Sequence, residues 1–396
     1  MAVLYRCHWL LPIVTPPIAD GAVIVADGRI AAAGRYRDLR GGAGEREIDG
    51  VLLPSLVNCH AHLELSSLGG VARSWTANGR AGDLAGWIRS LLAARAEQAD
   101  DRGQAAQAAL AGMHREGVGL LVDIGNLPES GRIADDAGVK VSFLLEKLGV
   151  DEQKAESLLN DAANESCAVT AHAPYSCSGA LIRGLKTLSR TRDGLFSIHL
   201  AESEQELILL AGDRGPLHDF LAERGLADVY TAPRRHPVTW LDELGVLDPT
   251  TLCVHCVQMG TAEIELLARR GAKICLCPVS NRTLGVGEAP VQAMLAAGIL
   301  PGLGTDSLAS NPQLSLWNEL REVQNLAPAI DPATIIAMGT LGGARALGLE
   351  NDYGTIEPGK AASLISVRLD GATGAESMLA ELLSTTTGDK VQWLQP

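Results

Sequence analysis

Positive charge is scarce in this chain. Lys and Arg number 33 against 47 Asp and Glu, a formal net charge of −14 over 396 residues. A protein that holds a polynucleotide needs a basic face for the phosphates, so a nucleic-acid polymer is excluded as a partner. A small nucleoside is not. Long apolar runs are missing too: no stretch approaches the roughly 18 residues of a membrane span. Met1–Val14 has Arg6 and a short apolar patch, but its shortness and Pro12 favour an ordinary first strand over a signal peptide. Eight cysteines in a chain this long make no small disulfide framework and read as free thiols of a cytoplasmic protein. The chain also lacks a Gly-x-x-x-x-Gly-Lys-Ser/Thr phosphate loop and a Gly-x-Ser-x-Gly nucleophile elbow. Apolar residues, at 46%, are plentiful enough to exclude disorder.

What is present alternates. Eight near-continuous apolar runs of strand length stand out: Leu52–Cys59, Val118–Ile124, Val139–Glu146, Ala168–Ala173, Leu195–Leu200, Thr251–Cys256, Ala272–Cys277 and Ile299–Thr305. Runs of this kind are strands buried on both faces. Helical patches such as Thr261–Arg270 and Pro290–Ala297 lie between them. Eight βα units predict an α/β fold, a parallel (β/α)₈ barrel over residues 52–353. Residues 1–51 and 354–396 read as short β elements, including a hairpin around Asp27-Gly28, and predict a small β-sandwich domain shared by both termini.

Possible strand-end markers are His60, Asp123, Glu146, His172, His199, His255, Pro278 and Asp306. Their spacings are 63, 23, 26, 27, 56, 23 and 28 residues. Two steps are about double, so insertions at 63–102 and 203–247 follow strands 1 and 5. Loops at strand C-terminal ends build the site of this fold. The insertions are therefore expected either to recognise substrate or to cover the mouth or a subunit interface.

The chemistry gathers at those strand ends. In Asn58-Cys59-His60-Ala61-His62, positions i and i+2 of a strand point to one side, so His60 and His62 can share one metal. His199, His255 and Asp306 end strands 5, 6 and 8. Three His and one Asp supply an N₃O donor set suited to Zn²⁺ or, alternatively, Fe²⁺. His62-Leu63-Glu64 with Cys253-Val254-His255-Cys256 superficially echoes the zinc cytidine deaminases, but Leu252 stands where their Pro would be and Glu64 and Cys253 lie 189 residues apart.

The pattern of His-x-His on strand 1, His on strands 5 and 6 and Asp on strand 8 resembles the amidohydrolase superfamily over nearly the whole chain. Gly354-Thr355-Ile356-Glu357-Pro358-Gly359-Lys360 is similar to its return strand, with Ala362-Ser363 in place of the usual Ala-Asp. The resemblance implies one metal per chain held by His60, His62, His199 and Asp306, because strand 4, Ala168–Pro174, lacks the bridging Lys of two-metal members. It also implies a homodimer. His199 and Glu202 form the His-x-x-Glu of the deaminases and chlorohydrolases. In that group Glu202, His255 and Asp306 are the expected catalytic residues, with Glu202 protonating a ring nitrogen while Asp306 and His255 activate water. Three residues past His199, Glu202 reaches the site only where the chain turns out of the strand.

His172-Ala173-Pro174-Tyr175-Ser176 resembles the adenosine-type deaminases, which implies that His172 and Ser310 lie near a nucleoside. His60–Ser66, which includes Glu64, and Gly304–Asn311 are similar to the aminofutalosine deaminases. The expected reaction is therefore deamination of 6-amino-6-deoxyfutalosine in menaquinone biosynthesis. The alternatives are an S-adenosylhomocysteine or methylthioadenosine deaminase, a chlorohydrolase, or a non-catalytic relative; the complete ligand set argues against the last. Cys277-Pro278-Val279-Ser280-Asn281 departs from that family at Val279, where Arg is usual, and Arg282 or Arg89 is the expected substitute for holding a carboxylate.

Overall fold

The structure is a computed structural model and describes residues 2–41, 44–97, 102–128, 138–371 and 373–394. Of the first insertion, residues 98–101 lie outside the described residues. Two sheets organise the chain. The first joins both termini. It contains β1 (Ala2–Leu10), β2 (Ile18–Ala26), β3 (Arg29–Arg35) and β4 (Gly44–Pro54), and its order is β14-β13-β4-β1-β2-β3 once β13 (Leu364–Val367) and β14 (Val391–Trp393) are added. The β2–β3 hairpin turns at Asp27 and Gly28, whose φ angles of 51° and 74° are both left-handed. Such a turn matches the twist of the flanking strands, which is why Asp-Gly marks it. Tyr5, Cys7, Val23, Val25, Ile30, Leu52 and Leu364 fill the core of this sheet.

The second sheet is the barrel. Its strands are β5 (Leu56–Ala61), β6 (Val118–Gly125), β7 (Lys140–Lys147), β8 (Ala168–Ala171), β9 (Phe196–Leu200), β10 (Thr251–His255), β11 (Lys273–Leu276) and β12 (Gly302–Leu303). Every paired neighbour is parallel, and β12 pairs back with β5. The β8–β9 seam closes through the His199 N–H donating to the His172 carbonyl at 2.9 Å and the Ser197 N–H donating to Thr170 Oγ1 at 2.9 Å. The fold is thus a (β/α)₈ barrel with a β domain from both ends of the chain.

Two strand boundaries differ from the sequence reading. The first run splits: Val51–Pro54 pair with β13, and barrel pairing starts at Leu56. Pro54 has no N–H, and Ser55 donates to the Ser363 carbonyl at 2.9 Å, so the chain crosses between sheets there. The last run shrinks to Gly302–Leu303. Gly304 is required by close approach, because a Cβ there would sit 2.8 Å from that of His60. Residues 375–385, expected among the β elements of the terminal domain, form the helix Ala375–Thr385, which shares a core with the barrel helices Leu316–Leu326 and Pro332–Ala337 through Met378, Leu382, Trp317, Leu320 and Ile335.

The insertions are helical. The first forms helices Gly69–Asn78 and Leu84–Glu97; the second forms Glu204–Ala211, Pro216–Glu223 and Pro237–Glu243. They meet above the barrel through Leu84, Ala85, Leu209, Leu217 and Leu221, and through an Arg89–Glu223 ion pair. Among the described residues no helix is long and apolar enough to cross a membrane.

Candidate metal centre

His60, His62, His199, His255 and Asp306 converge at the C-terminal ends of β5, β9, β10 and β12. The His60 and His62 rings lie 4.7 Å apart, nearly perpendicular, and each Nε2 is 3.6 Å from Asp306 Oδ1. Ring nitrogens of His60, His199 and His255 all lie within 4.8 Å of one another. Burial drives His60 down to about 4 and His199 well below the usual imidazole range, so both are held in the neutral, metal-binding form.

The outer contacts fix which nitrogens face inward. His62 Nδ1 is 3.0 Å from the Ile124 carbonyl, and His199 Nδ1 is 2.8 Å from the His172 carbonyl. A carbonyl only accepts, so both Nδ1 atoms carry the proton and both Nε2 atoms carry lone pairs. Those two Nε2 atoms face each other at 3.4 Å. Opposed lone pairs repel unless a cation lies between them. His60 adds two fully buried ring nitrogens with no hydrogen-bond partner among the described residues. Asp306 is braced on its other side, where Oδ2 accepts from Ser280 Oγ at 2.6 Å and Ser310 Oγ at 2.7 Å. Burial opposes its charge, but His60, His255 and His62 hold its carboxyl well below the ordinary range. The donor set fits Zn²⁺ or Fe²⁺, with partners behind the ligands that orient them.

Backbone strain accompanies these ligands. In a parallel ladder, register partners share a face. β10 pairs Val254 with His199 and His255 with Leu200. Regular alternation would therefore turn His255 outward with Leu200, into the core against the helices. Instead His255 has a φ of 72° and Cys256 one of 49°. This left-handed kink, costly for residues with a Cβ, brings the imidazole to 5.4 Å from that of His199. Its Nδ1 then donates to Asn281 Oδ1 at 2.9 Å, and Nε2 lies 3.7 Å from Glu202 Oε1. The turn needed to deliver Glu202 occurs at Ala201, with a φ of 50°; Asp306 has one of 55°. The Glu202 N–H donates to Glu206 Oε2 at 2.8 Å. Burial raises the Glu202 pKa, against the opposing pull of His255 and with Asp306 adding to the rise.

A cavity of about 420 Å³ opens over this cluster. Its walls come from both insertions, with Trp87, Ile88 and Leu91 on one side and Leu217, Phe220 and Leu221 on the other. Arg95, Asn126, Glu146 and His172 form a polar corner.

The sequence pattern of the amidohydrolase family matches residues 51–392. The chain belongs to the amidohydrolase family. A 5-methylthioadenosine/S-adenosylhomocysteine deaminase of Desulforudis audaxviator is 30% identical over 93% of this chain and 86% of its own length. An adenosine deaminase of Xanthomonas campestris, solved with bound zinc, is 26% identical with a TM-score of 0.77, covering 98% of this chain and 90% of that one. Helicobacter pylori aminofutalosine deaminase, solved with methylthio-coformycin, shares the fold at a TM-score of 0.82 and 23% identity, over 98% and 99% of the two chains.

In this amidohydrolase the expected metal and acid–base residues come together, and His172 lines the cavity with its Nδ1 2.6 Å from Ser176 Oγ. Four residues expected at the substrate do not. Ser310 is fully buried and spends its hydroxyl on Asp306. Glu64 lies behind the cavity wall, accepting from Arg95 at 2.8 Å and from the Asn126 N–H at 3.0 Å. Arg282 faces away from the cavity and pairs with Glu322 at 2.5 Å. Arg89 is likewise outside, bound to Glu223. Among the described residues, the arginines that line the cavity are Arg95 and Arg224, the latter stacked 4.8 Å from the Phe220 ring centroid. Sequence reasoning missed them because insertion helices carry no strand-end register to read. It also gave no roles to Ser280 and Asn281, although both stand in a motif that it singled out.

Proposed function

We propose that this amidohydrolase is a hydrolytic deaminase of an adenine nucleoside, using one Zn²⁺ per chain, with Fe²⁺ as the alternative. One observation carries the reading: a buried carboxyl with a raised pKa, Glu202, stands beside His255 over a three-His, one-Asp centre at the floor of a nucleoside-sized cavity. His60, His62, His199 and Asp306 would hold the ion. When bound, it acts as a Lewis acid and lowers the pKa of a coordinated water to about 7.

The chain's own groups do the rest. Asp306 accepts the proton of the attacking water, and His255, fixed by Asn281, aims that water at the ring carbon bearing the amino group. Glu202 delivers its proton to the adjacent ring nitrogen, making that carbon electrophilic, and the departing ammonia takes a proton back. Closure of both insertions over the cavity excludes bulk water from these transfers.

The favoured substrate is 6-amino-6-deoxyfutalosine. The two motifs around His60 and Asp306 support it, and Trp87, Leu91 and Phe220 suit an apolar substituent beyond the sugar, with Arg224 available for an anionic end. The curated relative at 30% identity favours methylthioadenosine or S-adenosylhomocysteine as the second reading. Ammonia release by Zn²⁺-loaded protein is to be compared on these three nucleosides and adenosine. The expected result is the highest kcat/KM on the futalosine substrate. A faster methylthioadenosine or S-adenosylhomocysteine reaction replaces it with the second reading. No ammonia from any of the four overturns the deaminase assignment.

A further inference from the structure

The helix Leu316–Leu326 packs on the barrel through Leu316, Trp317, Leu320 and Val323, and a fully buried carboxyl, Glu319, stands among them. No cation pairs with it among the described residues. Burial pushes its pKa up to about 8 against the pull of two hydrogen-bond donors, with the Asp306 and Glu322 charges adding to the rise. Burying such a group costs free energy that its contacts must offset.

Those contacts join two separate segments. Oε2 accepts from the Val279 N–H at 3.0 Å, and Oε1 accepts from Asn311 Nδ2 at 2.7 Å. Both segments lead to Asp306. Val279 precedes Ser280, whose hydroxyl donates to Asp306 Oδ2 at 2.6 Å. Asn311 follows Ser310, whose hydroxyl donates to the same oxygen at 2.7 Å. Asn311 Nδ2 also donates to the Thr305 carbonyl at 2.9 Å, one residue before Asp306. The first segment is the helix Pro278–Leu284, which carries Asn281, the acceptor of the His255 ring proton. One buried carboxyl thus stands behind both hydroxyls on Asp306 and the amide on His255. Glu319 itself is not part of the cavity wall.

The residue type matters. Both neighbours are N–H donors, so the position needs an acceptor at each end. A carboxyl offers two, whereas an amide offers one and turns its NH₂ group on the other donor.

We propose that Glu319 is a positioning residue of the metal centre: by fixing Ser280 and Ser310 it holds Asp306 Oδ2, so that Oδ1 stays turned towards His60 and His62. The inference rests on the metal reading above and not on the identity of the nucleoside.

The test measures Zn²⁺ affinity by chelator competition in wild type, Glu319→Gln, Glu319→Ala and Leu320→Ala, with denaturant unfolding followed in parallel. Leu320 is the next residue of the helix and is buried in apolar contacts, so its truncation reports what lost packing does alone. Glu319→Ala is expected to weaken Zn²⁺ binding by roughly tenfold to a hundredfold and Glu319→Gln by roughly threefold to tenfold. Leu320→Ala is expected to unfold earlier but to change the affinity by about threefold or less. In a background carrying Ser280→Ala and Ser310→Ala, Glu319→Ala is expected to add about threefold or less, because the groups it acts through are gone. With Zn²⁺ saturating, kcat on the best of the four nucleosides should fall in Glu319→Ala while KM stays within about threefold.

Unchanged Zn²⁺ affinity in the Glu319 variants, an equal loss in Leu320→Ala, or an undiminished loss in the double-serine background overturns the inference. If Glu319→Ala does not fold, Glu319→Gln decides, and a loss smaller than about threefold overturns it. A wild type that binds no Zn²⁺ defeats the metal reading and the inference together. A wild type that binds Zn²⁺ but frees no ammonia defeats the deaminase reading alone, and the affinities still decide the role of Glu319.

Discussion

The rim of the barrel and the apolar layer just beneath it are built from the same strands by opposite rules. In the layer, Leu120, Leu252, Val254, Cys275 and Cys277 are fully buried and packed together. No residue there has a left-handed φ. One or two residues further along, the rim buries imidazoles and carboxylates, leaves both nitrogens of His60 with no hydrogen-bond partner among the described residues, and bends left-handed at Ala201, His255, Cys256 and Asp306. Burial that stabilises in the layer becomes desolvation that costs in the rim. The barrel carries its rim as a burden tolerated for chemistry, as expected where stability and function pull apart.

Three changes test that division. The largest effect is expected from His60→Ala. It removes a metal ligand, so kcat/KM should fall on the order of 10³-fold or more and bound metal should drop. Metal-free stability should move by less than about 1 kcal/mol, since the lost contacts are offset by removal of a buried ring whose nitrogens have no hydrogen-bond partner among the described residues. Retained activity would sink the site assignment. Leu252→Ala should do the opposite. It opens a cavity in the layer and costs about 2–5 kcal/mol in chemical denaturation, with kcat of the folded protein changed by no more than about twofold. A stability close to wild type would erase the contrast.

The smallest effect is on pH dependence. Burial pushes the Glu206 carboxyl from an ordinary 4.5 up to about 8; the Glu202 N–H opposes the shift and the Glu202 charge adds to it. A carboxyl raised in the folded state stays protonated there while the unfolded chain ionises. Its stabilising contribution is therefore complete below the ordinary value and is lost as pH rises through about 8. Glu206→Gln keeps an acceptor for the Glu202 N–H but does not titrate, so its stability should decline less than that of wild type between about pH 5 and pH 8. Parallel slopes in denaturant midpoints would place the desolvation cost elsewhere.

Much of this was readable before any coordinates. The interior strands announce themselves because burial on both faces forces unbroken apolar runs, and Thr261–Arg270 is helical over the expected residues. His-x-His works as a sequence signal because a strand repeats every two residues. β12 was overestimated because Gly302 and Gly304 serve close approach, which hydropathy does not record. The resemblance to the adenosine-type deaminases puts Ser310 near the ligand through its spacing from Asp306, but the direction of a hydroxyl is not legible in a sequence, and this one turns to Asp306. Arg282 was misjudged for a similar reason: its partner Glu322 sits 40 residues away on another helix. Glu146 is visible as a strand end, but its link through Asn126 to Arg95 and Glu64 is a fact of three dimensions.

The kink at His255 bears on transplantation. An idealised (β/α)₈ scaffold, drawn with unstrained φ and ψ throughout, would place His at this position of its sixth strand facing the outer helices. Copying the five side chains would then assemble a centre short of one imidazole. A working graft must carry the left-handed His255-Cys256 step together with Asn281, which receives the ring's outer proton. The portable unit of this enzyme is therefore a set of backbone irregularities with the residues attached.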